Sequence, residues 1–160
     1  MFYKVMIVWA FLNFVFTNLV FADENRYQAE IDKYLSERKL ETIEGIWKKV
    51  YANQGPVGCV TIFYKSEKNV FEQMHIDECY KMDEITGIQT KSSNNAYTGQ
   101  NAIYYYDGKI DWAPSFVEIS EDLNNFVITH KSATNVFSER WERFWPKDIS
   151  LHNKSINLNK

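Results

Sequence analysis

The sequence predicts an all-β domain with one N-terminal helix, and two observations lead to that prediction. From residue 41 onward, apolar and polar residues alternate with a period of two, as in half-buried strands. The links between these runs are short, so neighbouring strands must run antiparallel, because a parallel pair needs a longer crossover. A meander of about eight strands avoids two exposed edges by closing on itself. We therefore expect a closed up-and-down barrel, with a β-sandwich as the alternative.

The composition is typical of one folded domain. The chain has 160 residues, of which 45% are hydrophobic and 16% aromatic, so it can bury a core. Its 18 Lys and Arg residues stand against 21 Asp and Glu residues, giving a formal net charge of -3. Because nucleic-acid binders normally carry a basic surplus, we expect no nucleic-acid partner.

Residues 1–22 have the organisation of a secretory signal peptide. Lys4 precedes an apolar run that ends at Ala22, with small residues at the -3 and -1 positions. An uncleaved membrane anchor is the alternative, but no cluster of Lys or Arg follows, and polar residues interrupt the run at Asn13, Thr17 and Asn18. We expect cleavage after Ala22, no membrane span after cleavage, and a secreted or periplasmic protein.

The chain contains two cysteines, Cys59 and Cys79. In an oxidising compartment, an even number of cysteines favours one intramolecular disulfide. Such a bridge would contribute about 3 kcal/mol through loop-closure entropy. Two buried thiols are the alternative.

Residues 23–40 carry the pattern of an amphipathic helix. Tyr27, Ile31, Tyr34 and Leu35 fall at i, i+4, i+7 and i+8 and so share one face. The other face mixes both signs of charge, which favours packing against the domain over binding to a membrane or a partner. The barrel is then expected over residues 41–147, followed by a polar, frayed tail over residues 148–160.

Val, Ile, Thr, Tyr, Phe and Trp dominate nine candidate strands. They are 45–51, 59–65, 70–76, 84–90, 102–106, 110–112, 116–120, 126–131 and 139–145. The clearest turn signal is Asp107-Gly108, because both residues tolerate the positive φ of a two-residue type I′ turn. That turn predicts a register in which Tyr106 opposes Lys109, Tyr105 opposes Ile110 and Ile103 opposes Trp112.

The two ends of the predicted barrel resemble the lipocalin, or calycin, family. Gly45-Ile46-Trp47 opens the first strand directly after the helical segment, and Arg143 lies in the last strand on the face of Trp141. In that family the Trp of a G-x-W motif closes one end of the barrel, and a basic side chain packs over its ring. The resemblance implies this contact for Trp47 and Arg143, worth roughly 0.5–2 kcal/mol.

The sequence lacks the usual motifs of enzymes. It has no nucleophile-elbow, zinc-protease, phosphate-binding, dinucleotide-binding or C-x-x-C pattern. A strand over residues 75–79 would place His75, Asp77 and Cys79 on one face, a set that includes zinc-ligand types. Three ligands in a line cannot surround a tetrahedral ion, and Cys79 has a candidate partner in Cys59. We therefore expect no metal, no cofactor and no catalytic activity.

Aromatic residues are spread over several predicted strands and indicate a pocket lined by rings. The alternative is that the rings fill the core, because an eight-stranded barrel is just wide enough for side chains or one small ligand. We expect a small apolar or amphipathic ligand. Binding of a protein or envelope partner by the outer surface is the alternative function. The candidate ligand-binding residues are Tyr64, Phe71, Tyr104, Trp112 and Phe126.

Overall fold

The computed structural model describes residues 26–80, 83–105 and 107–158. Within these residues, eight strands form a closed barrel in which each pairs antiparallel with its sequence neighbours and the last pairs with the first. This confirms the predicted up-and-down barrel over the sandwich. The expected signal peptide lies outside the described residues. The strands are β1 Gly45–Ala52, β2 Val60–Glu67, β3 Val70–His75, β4 Ile85–Lys91, β5 Ala96–Tyr104, β6 Ile110–Ile119, β7 Asn125–Lys131 and β8 Val136–Trp145.

The sequence misplaced strand boundaries on β5 and β6. The candidates 110–112 and 116–120 form one strand, β6, that runs through Pro114. Strand β7 pairs with β6 only from Ser115 onward, so Pro114 lies in a partly unpaired stretch where a missing N–H is tolerated. Strand β5 begins at Ala96 instead of residue 102, because its first half carries Gly99 and an inward Asn101 and so lacks an apolar alternation.

The hairpin between β5 and β6 is present, but the predicted register is wrong by one residue. Tyr104 opposes Ile110, and Ala102 opposes Trp112. The Tyr105 N–H donates to the Lys109 carbonyl at 2.9 Å, so the loop holds three residues and not two. The last of them, Gly108, has a φ of +82°, as three-residue hairpin loops require. The predicted pair with Tyr106 lies outside the described residues.

In the described part of the chain, two helices lie outside the barrel, and both differ from the prediction. Helix α1, Gln28–Tyr34, is shorter than the expected 23–40, and the positive φ of Glu37 breaks the pattern soon after it. The tail expected to fray forms helix α2, Ile149–Leu158. The Asn153 side chain accepts from the Leu40 N–H at 2.8 Å and donates to the Leu40 carbonyl at 2.9 Å, which attaches α2 to the start of the domain. Within the described ranges, neither helix has the length and apolar character needed to cross a membrane.

Apolar side chains pack on both sides of the first three strands. One cluster lies outside the barrel, where Ile46, Ile62 and Met74 contact residues of the two helical segments. The other fills one half of the barrel interior. Its largest buried members are Trp47, Phe63, Phe71, Tyr97, Phe126 and Trp141.

Arg143 closes the barrel at the end next to this interior cluster, which we call the closed end. Its guanidinium lies 4.0 Å from the centroid of the Trp47 ring, as the resemblance implied. The same group donates to the carbonyls of Leu123, Glu44 and Thr42 at 2.7, 2.8 and 2.6 Å. Burial lowers the pKa of Arg143 to about 9, so the side chain stays charged at neutral pH.

The glycine of the G-x-W motif is required by this arrangement. Gly45 has a φ of +135°, a backbone conformation that residues with a side chain rarely adopt. A Cβ at this position would lie 2.8 Å from Nη1 of Arg143. Two residues later, the Trp47 indole N–H donates to the Ile43 carbonyl at 2.8 Å. The closed barrel and this contact are consistent with a lipocalin-like fold.

The predicted disulfide between Cys59 and Cys79 is present, with a Cα–Cα distance of 5.5 Å. Cys59 lies immediately before β2, and Cys79 lies in the connection between β3 and β4. The bridge therefore ties this connection to the barrel wall at the end opposite Arg143.

Replacing Arg143 by Met should lower the free energy of unfolding by about 3–5 kcal/mol. The variant keeps an apolar stem over Trp47 but leaves one buried and two part-buried carbonyls without their charged donor. Urea unfolding measures the loss. Arg140→Met is the matched control, because Arg140 lies on the same strand with an exposed side chain. Equal stabilities of the two variants would contradict the role assigned to Arg143.

Candidate ligand-binding cavity

A cavity of about 330 Å³ lies at the end of the barrel opposite Arg143, which we call the open end. In an up-and-down barrel, alternate loops meet at the same end. The cavity is accordingly bordered by the β1–β2 loop at Gly55, the β3–β4 connection at Tyr80, and the β5–β6 hairpin at Tyr105. Its volume is at the lower end of the range for small-molecule pockets.

The base of the cavity is a layer of hydrogen-bonded amides, which we call the amide layer. The Asn101 amide donates to the Gln73 side-chain carbonyl at 2.8 Å. The Gln89 amide donates to the Asn101 side-chain carbonyl at 2.6 Å and to Ser115 Oγ at 2.8 Å. A Cβ on Gly87 would lie 2.7 Å from Gln73 Oε1, so the glycine leaves room for these amides. Polar side chains thus separate the cavity from the apolar cluster at the closed end.

A buried ion pair lines one wall of the cavity. Lys49 on β1 donates to Glu139 Oε1 on β8 at 2.7 Å, and the two side chains are only 2% and 13% exposed. The Trp141 indole N–H donates to the second oxygen, Oε2, at 3.1 Å. The Lys49 ammonium also lies 5.0 Å from the centroid of the Trp141 ring and 5.3 Å from that of Tyr80. The pair carries no net charge, and its carboxylate is held by two donors.

Two neutral histidines also border the cavity. Burial, with the nearby Lys49 charge adding to it, lowers the pKa of His75 to about 3. Burial also lowers the pKa of His130, and the Glu139 charge partly opposes that effect. Nδ1 of each ring is buried without a hydrogen-bond partner in the described structure. Unpaired buried polar atoms are uncommon in folded proteins, and here they lie on residues that surround a cavity.

Aromatic rings form the remaining wall. The Tyr80 ring lies 4.4 Å from the His75 ring and 5.1 Å from the Tyr104 ring, measured between centroids. Burial raises the pKa of Tyr104 to about 12, so its phenol keeps its proton. Tyr80 directly follows Cys79, so the disulfide holds this ring over the cavity.

Of the five candidate ligand-binding residues, Tyr104 alone borders this cavity. Phe71 and Phe126 belong to the apolar cluster at the closed end. Tyr64 lies outside the barrel, where its ring stacks on Tyr34 at 4.4 Å. Trp112 is on the outer face and 45% exposed, because the one-residue register shift places it opposite Ala102.

The sequence reasoning missed the polar residues of the cavity. Lys49 and Glu139 each lie two residues from a Trp that the resemblance or the strand pattern placed on the inner face, Trp47 and Trp141 respectively. In a strand, residues two apart share a face, so a charged residue at that spacing was a signal of a polar interior. By the same rule, His75 shares the inner face of its strand with Phe71 and Gln73.

The cluster at residues 75–79 does not form the single-faced strand considered from the sequence. Strand β3 ends at His75, and the following residues turn away. The sulfurs of Cys59 and Cys79 lie within 4.8 Å of an Asp77 oxygen, but both sulfurs are joined in the disulfide. The Asp77 oxygens accept from the N–H groups of Val60 and Cys79 at 2.6 and 3.3 Å. This carboxylate caps the backbone at the start of β2.

The comparisons with known proteins give no relative from which a function could be transferred. No known protein family matches the chain, and neither does any characterised protein or any solved structure. The cavity therefore has to be interpreted from its own chemistry. It combines a neutral ion pair, uncharged imidazoles, amides and aromatic rings around one small volume.

His75 should make the protein sensitive to acid. The unfolded chain protonates this histidine near its ordinary pKa of about 6.5, whereas the native pKa is about 3, so stability is lost as the pH falls below about 6.5. The contribution of His75 to this loss should reach about 2 kcal/mol between pH 7 and pH 5. Urea unfolding at the two pH values should show a correspondingly smaller decrease for His75→Gln.

An NMR titration gives a second measurement of the same group. In the native protein the His75 ring should stay neutral to below pH 4, while in concentrated urea it should titrate near 6.5. A native transition near pH 6 would contradict the burial argument.

Proposed function

We propose that this protein binds a small amphipathic molecule in the open-end cavity. One observation supports this proposal. Aromatic rings and buried polar atoms without a hydrogen-bond partner surround the same cavity of about 330 Å³. Rings provide apolar contact area, and a few placed polar groups fix the orientation of a ligand. A purely apolar ligand fits less well than an amphipathic one, because it would leave the two histidines and Lys49 with unused hydrogen-bonding capacity.

We further propose that the binding takes place outside the cytoplasm, in a secreted or periplasmic protein. The disulfide supports this location, because disulfides form and persist in oxidising compartments. The signal-peptide pattern of residues 1–22 supports it independently. Sequencing the N-terminus of the exported protein would test the expected cleavage after Ala22.

Fluorescent probes can test whether the cavity binds amphipathic molecules. The neutral naphthalene ketone Prodan and the anionic anilinonaphthalene sulfonate should be titrated separately, and at least one should bind saturably with one site per chain. Tyr104→Ala should weaken that binding about tenfold, because it removes one ring from the cavity wall. Trp112→Ala is the matched control, since it removes an aromatic ring from the outer face. Absence of saturable binding by both probes, or a loss confined to Trp112→Ala, would contradict the proposal.

The outer surface supports a second candidate function, the binding of a protein or envelope partner. Ile110, Trp112 and Phe116 alternate along the outer face of β6 and are 41%, 45% and 44% exposed. A row of exposed apolar residues is typical of interaction surfaces. The double variant Trp112→Ala/Phe116→Ala tests it in an affinity capture from the envelope fraction. Identical partners for wild type and variant would count against this candidate.

A further inference from the structure

The Lys49 ammonium in the cavity wall has hydrogen-bond donors that the ion pair does not use. The Lys49 ammonium carries three N–H donors, and one of them donates to Glu139 Oε1 at 2.7 Å. Among the described residues, no second acceptor lies within hydrogen-bond distance of this ammonium. Only the faces of Tyr80 and Trp141 are close, with ring centroids at 5.3 and 5.0 Å. Two N–H donors of Lys49 therefore have no acceptor within the part of the chain that the structure describes.

Each oxygen of the Glu139 carboxylate already accepts one hydrogen bond. Glu139 accepts from Lys49 at one oxygen and from the Trp141 indole at the other, at 2.7 and 3.1 Å. These two donors come from different strands and fix the carboxylate in place. The Lys49 charge is thus neutralised within the wall, before any ligand enters.

Among the described residues that border the cavity, no other positive charge compensates an anionic ligand at this position. The remaining basic groups in this described lining are His75 and His130, and both are neutral at pH 7 because burial lowers their pKa values. A ligand carboxylate next to Lys49 would therefore place a second negative charge close to Glu139 in a poorly solvated site. A hydrocarbon would avoid this repulsion but would leave the two Lys49 donors unpaired.

We propose that the cavity selects neutral molecules in which a carbonyl-type acceptor is attached to a planar apolar ring system, and that Glu139 is the residue that excludes carboxylates. This inference rests on the proposed function and specifies its ligand class. The carbonyl oxygen accepts a hydrogen bond from Lys49, the Lys49–Glu139 pair stays intact, and the ring system packs against Tyr80 and Tyr104.

Three naphthalenes of nearly equal shape test the selection. In 2-acetylnaphthalene the carbonyl is present, in 2-isopropenylnaphthalene a CH₂ group replaces the carbonyl oxygen, and in 2-naphthoate the group is an anion. Isothermal titration calorimetry at pH 7 should give a dissociation constant at least tenfold lower for 2-acetylnaphthalene than for either of the others. A hydrogen bond to a charged group accounts for a factor of this size.

Variants of Lys49 and Glu139 test which residue of the ion pair causes the preference among the three naphthalenes. Glu139→Gln leaves the Lys49 charge uncompensated, so 2-naphthoate should bind at least tenfold more tightly than to the wild type. The double variant Lys49→Met/Glu139→Gln removes both charges without leaving one unpaired, and its preference for the acetyl over the isopropenyl compound should be smaller than that of the wild type. Lys48→Met, at an exposed position on the same strand, should keep the wild-type order. Urea unfolding of each variant verifies that it is folded.

The possible outcomes separate this inference from the proposed function. Tight binding of 2-isopropenylnaphthalene or 2-naphthoate to the wild type would overturn the inference and leave the proposed function standing. An unchanged affinity of Glu139→Gln for 2-naphthoate would overturn the role of Glu139. If none of the three compounds binds the wild type, nor Prodan nor anilinonaphthalene sulfonate, both proposals fail.

Discussion

The buried guanidinium of Arg143 is the interaction on which the rest of this structure depends. It joins three carbonyls that belong to two separate segments, Thr42 and Glu44 before β1 and Leu123 between β6 and β7. The same group covers the Trp47 ring at 4.0 Å. A barrel needs its first and last strands to meet, and Arg143 on β8 bonds the chain that leads into β1. One side chain therefore stabilises both the closure of the sheet and the sealing of one end.

Sealing that end determines how the interior can be used. Because Trp47 and its neighbours fill the half of the barrel next to Arg143, the hydrophobic contribution of the barrel interior to stability is concentrated there. The half beyond the amide layer can then hold polar side chains and an open volume. The disulfide acts at that end, where it fixes the connection that carries Tyr80 and so keeps the cavity wall in place without a larger apolar core.

The fold could be predicted from the sequence more completely than the site. The period of two and the short links are local signals, and they were sufficient for a closed barrel. The contact between Trp47 and Arg143 was implied by the family resemblance that the G-x-W motif carries. The hairpin register was not predictable from Asp107-Gly108 alone, because the same pair fits a two-residue turn and the end of a three-residue loop. The extra loop residue shifts the register by one. Trp112, which was an expected ligand-binding residue, therefore lies on the outer face. The C-terminal helix α2 was missed for a similar reason, since Asn153 is fixed by Leu40, which is far away in the sequence.

The polar lining of the cavity was missed because aromatic residues were taken as the signature of a pocket, whereas charged and amide residues on the inner face form much of its wall. A buried ion pair contributes little to stability compared with well-packed apolar residues of the same volume. Apolar residues could fill the interior around Lys49 and Glu139. Trp47, two residues before Lys49, fills the interior in this way. Retaining a charged pair, two neutral histidines and an open volume in this half reduces what the barrel could gain from packing. That arrangement is expected where polar groups serve a ligand, and it is the physical reason for the proposal that a ligand binds at the open end of the barrel.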